Sequence, residues 1–155
     1  MKKSLLLLVL ALILSSSGFA QLKLPFGLNS KKPSDVVNSI FMAAKSEKFD
    51  HLYLMCDPNG YSDRDSMRIC SITQLADMIN GSNSSEHAKR NLSEFIQIFQ
   101  NGKITGEVSY EKNGKTMYAK VPIWYDHPQG EDRSNETITL VNRSGRWYLF
   151  SFKSF

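Results

Sequence analysis

Two periodicities divide the chain. Between residues 34 and 99 apolar side chains recur every three or four positions, and from Lys103 onward they alternate. In the first part Val36, Val37, Ile40, Phe41 and Ala44 make one helical stripe, with Ser34 expected as N-cap and Asp35 in the first turn. "KSEKFD" interrupts that stripe, and a short second helix is expected through His51, Leu52, Leu54 and Met55. "CDPNGYSDRD" has Pro58, Asn59 and Gly60 in series and reads as a loop. A third helix is expected from about Asp65 to Ile79, with Ile69, Ile72, Leu75, Ala76 and Ile79 on one face and a stop at Asn80-Gly81. Asn83 and Glu86 then have capping-box spacing ahead of a fourth helix, whose stripe is Ala88, Leu92, Phe95, Ile96 and Phe99.

The alternating part reads as two hairpins. "KITGEVSYE" and "TMYAKVPIWYD" flank the Asn-Gly turn of "KNGK"; "ETITLVN" and "RWYLFSF" flank Ser144-Gly145. Pro122 removes one ladder donor, so part of its strand is expected at an edge or a bulge. Helices first and a four-stranded antiparallel meander second define an α+β class. On the last strand Trp147, Leu149 and Ser151 share one parity, and Tyr148, Phe150 and Phe152 the other. Both sets are bulky, so both faces of the sheet need a cover.

Composition changes this picture at the N-terminus. Residues 1–20 combine Lys2 and Lys3, an apolar run from Leu5 to Leu14, and small residues Gly18 and Ala20 ahead of Gln21. That is the pattern of a signal peptide, and the run is shorter than the roughly 20 residues that span a bilayer. The expected organisation is therefore a signal at 1–20, an arm at 21–33 and one α+β domain at 34–155, exported to the periplasm or secreted. The short "MKK" start has a bacterial look. Removing Lys2 and Lys3 takes the basic count from 19 to 17 against 15 acidic residues, a net +2. The basic residues are scattered, which argues against nucleic acid as a partner, and nothing after the signal is expected to enter a membrane. Cys56 and Cys70 are the only cysteines. In an exported chain they suggest a disulfide; two buried thiols that never meet is the alternative.

The stretches "KPSDVVNSIFMAAKSEKFDHL", "TMYAKVPIWY" and "TITLVNRSGRWYLFSF" resemble the nuclear transport factor 2-like superfamily, and within it small exported bacterial domains. The terminal hairpin carries the likeness through Thr137, Thr139, Gly145, Trp147 and Leu149. The helical stretch from Asp65 to Phe99 is longer than short versions of that fold need. The resemblance implies helices on the concave face of a curved sheet, with Trp147 and Leu149 facing them. It also implies that Tyr148, Phe150 and Phe152 point outward, where a second subunit gives a homodimer. The alternative reverses the faces and leaves Trp147 outside.

Candidate chemistry is sparse. Ketosteroid isomerase shares the implied fold and needs an acid within an apolar cone. The nearest groups here are Asp50, His51, Tyr53 and Asp57, with Tyr110 and Tyr118 on strands, and no carboxyl stands alone on an apolar strand face. His51, His87 and His127 lack ligand spacing. "DPNGYSDRD" lacks the glycine position of a calcium loop, and Arg68 stands where its closing Glu belongs. No metal or cofactor is expected. The aromatic residues Tyr118, Trp124, Tyr148, Phe150 and Phe152 are the candidate ligand-binding set. The expectation is a non-enzymatic domain binding a small apolar ligand or a protein, with an isomerase-type enzyme and a ligand-free assembly dimer as alternatives.

Overall fold

A computed structural model of the chain describes residues 30–81, 85–130 and 134–152. The expected signal peptide, most of the arm and Asn83 lie outside the described residues. The element order is α1 (Pro33–Ser46), a 3-10 turn (Leu52–Met55), α2 (Arg64–Asn80) and α3 (Glu86–Phe99). The strands β1 (Lys103–Ile104), β2 (Ser109–Asn113), β3 (Thr116–Trp124), β4 (Asn135–Arg143) and β5 (Arg146–Ser151) follow. This is an α+β architecture in which the helices precede one antiparallel sheet.

Helix starts differ from the sequence expectation for local reasons. Pro33 occupies the first turn of α1 and Lys32 the N-cap, so Ser34 already lies inside the helix; a proline is favoured there because its missing N–H would be unpaired anyway. Asp63, and not Asp65, marks the start of α2, where its carboxylate accepts the Ser66 N–H at 2.8 Å. The Ser85 hydroxyl does the same for Ala88 at the start of α3, in place of the expected Asn83.

Among the described residues the sheet has five strands in place of four. β3 pairs with β4 along one side, and β4 with β5, while β1 and β2 share the other side of β3. "KITGEVSYE" is therefore two strands. Its interruption at Thr105–Val108 lies opposite Pro122, which has no N–H to give, and the Pro122 carbonyl accepts the Thr105 N–H at 3.0 Å. A Cβ at Gly106 would lie 2.9 Å from the Pro122 ring, so only glycine lets the chain pass so close. The β2–β3 turn places Gly114 at φ 59, as a tight two-residue hairpin requires.

The core lies between the helices and one face of the sheet. Val121, Ile123, Tyr125, Ile138, Leu140 and Leu149 are fully buried there with Ile40, Phe95 and Phe99. Each such side chain contributes roughly 1.5–3 kcal/mol when fully withdrawn from water. Trp147 faces the helices and is only 8% exposed, as the first of the two strand-parity readings expects. Its indole meets Tyr110 of β2 with ring centroids 5.8 Å apart. β2 and β5 flank opposite sides of the β3–β4 pair, so this contact reaches across the concave face.

Phe152 corrects the expectation. Strand parity puts it on the outer face with Tyr148 and Phe150, but it is fully buried and packs on Phe99 and Tyr125 at 5.9 and 5.5 Å. The cause is a register shift: Leu140 pairs with Leu149, but Thr139 pairs with Ser151. Phe150 is the extra residue of a β-bulge, and a one-residue slip reverses the parity beyond it.

Candidate functional site

Among the described residues no helix lies on the outer face of the sheet, whose side chains come from alternate positions of three strands. Tyr118 pairs with Val141, and Val141 with Tyr148, which puts the three in one row. The bulge adds Phe150, whose ring meets Tyr118 edge-on at 5.1 Å. Val141 is fully buried beneath this row, although no helix lies on its side, while Tyr118, Tyr148 and Phe150 are half-buried. Three of the five sequence-proposed residues thus come together. Trp124 does not join them: it sits at the far end of β3, with the Lys103 ammonium 5.3 Å from its ring centre. Phe152 belongs to the core.

The loop after the 3-10 turn wraps the β5 edge beside this patch. Cys56 bridges to Leu149, the Ser62 hydroxyl donates to the Leu149 carbonyl at 2.7 Å, and the Asp63 N–H donates to the Phe150 carbonyl at 2.8 Å. Asp63 Oδ2 accepts the Phe152 N–H at 2.9 Å, so one residue caps α2 and closes the strand edge. These bonds occupy backbone groups that an open edge would offer to another chain. A disulfide between Cys56 and Cys70 ties the loop to α2.

Asp57 is the buried charge of the region. Its side chain is 0% exposed and grips Arg143, itself 21% exposed, through Nε–Oδ1 at 3.1 Å and Nη2–Oδ2 at 2.6 Å. Tyr61 lies against the guanidinium at 5.9 Å. Burial pushes the Asp57 carboxyl up, but the Arg143 hydrogen bonds, the Asn59 N–H and the Arg143 charge outweigh it and hold the group below its ordinary value. Asp63 behaves alike: burial raises it, and bonds from Ser66, Ser151 and Phe152 together lower it by more. Neither carboxyl is pushed up toward the protonated form that the donor acid of an isomerase cone requires. Sequence reasoning missed Val141, Arg143 and Tyr61 because the pairing of Asp57 with Arg143 spans 86 positions. Only the Asx-type turn at Asp57–Asn59–Gly60, with the Asn59 N–H on Oδ1 at 3.0 Å, was foreshadowed locally, by the Pro-Asn-Gly series.

The concave side is occupied by aromatic side chains. Phe99 contacts Phe41, Phe95, Tyr125 and Phe152 within 6.4 Å, and Phe49 meets Phe95 edge-on at 6.0 Å. Asp50 and Tyr53 are exposed, and His51 lies half-buried beside the 3-10 turn. Among the described residues no helix is long and apolar enough to cross a membrane. In comparisons with known proteins, no family model, curated protein or solved structure matches the chain.

Proposed function

We propose that this chain is an exported, non-enzymatic domain of the nuclear transport factor 2-like type that docks a protein through the outer face of its sheet, in the first instance a second copy of itself. The observation that carries the reading is the row Tyr118–Val141–Tyr148 with Phe150, an aromatic patch on a sheet face that no helix among the described residues covers. Aromatic residues are enriched at protein interfaces, and a self-complementary patch of this kind suits a two-fold dimer. The signal-like pattern of residues 1–20 supports export to the periplasm or secretion.

Binding of a small apolar ligand is the second reading, favoured by a hollow of about 260 Å³ beside Trp147, Tyr53 and Leu54. Sedimentation equilibrium separates the two. The wild-type chain is expected to associate with rising concentration, and the double substitution Tyr118→Ser/Phe150→Ser to remain monomeric while folded. A wild-type chain that stays monomeric at all concentrations removes the dimer reading.

A further inference from the structure

Beyond the apolar patch, the two hairpin turns and the loop at Pro58 enclose a cleft of about 500 Å³ with a different chemistry. The β2–β3 turn contributes Lys115 and Thr116; the β4–β5 turn contributes Asn142, Arg143, Ser144 and Arg146; the loop contributes Asn59, and Tyr148 closes one side. Among the described residues that line it there are three cationic side chains and no carboxylate. Arg143 is already neutralised by the buried Asp57, so the uncompensated charge is that of Lys115 and Arg146. Asn142 Oδ1 accepts the Gly145 N–H at 3.0 Å, which commits its carbonyl to the turn and leaves the amide N–H₂ as the group for an outside acceptor. The lining hydroxyls, Thr116 and Ser144, can each donate and accept.

We infer that this cleft binds an acidic saccharide. A sugar ring offers a face to the Tyr148 ring and hydroxyls to the amides and hydroxyls of the turns, and its acidic group meets Arg146 and Lys115. An arginine can take a carboxylate or a phosphate with two parallel hydrogen bonds, and lysine adds a point charge. The cleft volume falls within the range of small-molecule sites. The tight turns Gly114-Lys115 and Ser144-Gly145 set the backbone positions on the hairpin ends from which these side chains project. It owes nothing to the dimer patch except the shared Tyr148.

Titration of the full chain with digalacturonate, cellobiose and acetate, followed by amide chemical shifts, tests the inference. Digalacturonate is expected to move the resonances of Lys115, Ser144, Gly145 and Arg146 at millimolar concentration, and more tightly than either the neutral disaccharide or the bare anion. The substitution pair Lys115→Gln/Arg146→Gln lies on exposed positions and should fold normally. It is expected to weaken binding by about tenfold, the effect of two partly exposed charge pairs. Added salt should act in the same direction. Acetate or cellobiose binding as tightly as digalacturonate, an unchanged affinity in the double variant, or no shift at all would each overturn the proposal. Because Tyr148 is shared with the dimer patch, the titration is run at concentrations where sedimentation shows the chain monomeric, so that self-association is read separately.

Discussion

On the inner face of the sheet, Val121, Ile123, Leu140 and Leu149 are sealed beneath the helices. Across the same backbone Tyr118, Tyr148 and Phe150 are only half covered. Both faces are built by the same strands and the same alternation. The difference comes from where the helices dock, and from one bulge that sends Phe152 inward while leaving Phe150 outside. Side chains on the inner face hold the fold together by burial. Those on the outer face are bulkier than solvent alone calls for, yet contribute less to the single chain. Folding thus rests on the inner face, and the proposed recognition would use the outer one.

The largest expected effect falls on the inner face. Phe99→Ala removes a fully buried ring in contact with four others and should destabilise the chain by about 3–5 kcal/mol, measured by urea unfolding. Replacing both cysteines with serine opens the 14-residue separation between Cys56 and Cys70 and should cost about 3 kcal/mol in the chain-entropy account. An unchanged denaturation midpoint would show that the loop is held by its hydrogen bonds alone.

Next in size is the ion pair at the margin between the faces. Asp57→Asn leaves Arg143 without its anion and should cost about 2–3 kcal/mol at neutral pH. The pH dependence follows from direction. Asp57 and Asp63 are lowered in the folded state, so their stabilisation is fully present above the ordinary carboxylate pKa and is lost as pH falls through the lowered folded values. Melting temperature should therefore drop on acidification below about pH 4, and Asp57→Asn should flatten that drop. A steeper acid limb in the variant would contradict the assignment. The smallest effect belongs to the outer face: Phe150→Ser should cost about 1 kcal/mol in the isolated chain, because only part of its area is withdrawn from water. A loss as large as that of Phe99→Ala would erase the distinction between the faces.

Much of the fold was legible because its signals are local. The stripe Val36, Val37, Ile40, Phe41 and Ala44 is buried, the β4–β5 turn falls on Ser144-Gly145, and the β2–β3 turn falls one residue past the Asn-Gly start, on Gly114-Lys115. Pro122 announced an irregularity, and the structure locates it as the gap between β1 and β2. Phe152 was misplaced because a bulge is a property of two strands in register, and alternation along one strand carries no sign of it. The candidate site was legible only in part. Tyr118, Tyr148 and Phe150 share an alternating pattern, but the cover over the β5 edge depends on Asp57, Ser62 and Asp63 finding partners more than 80 positions away. The separation of Trp124 from the other aromatics follows from its position at the opposite end of β3, which parity does not measure.

The division of labour between the faces is tested most directly by a photo-crosslinker placed on each side of the molecule. Benzoylphenylalanine in place of Tyr148 on the outer sheet face is expected to give covalent dimers on illumination, with crosslinks mapping to β3, β4 or β5 of the second copy. The same group in place of the exposed Met78 on α2 is expected to give none. Dimers from the Met78 position but not from Tyr148, or none from Tyr148 at concentrations where the chain associates, would contradict the account.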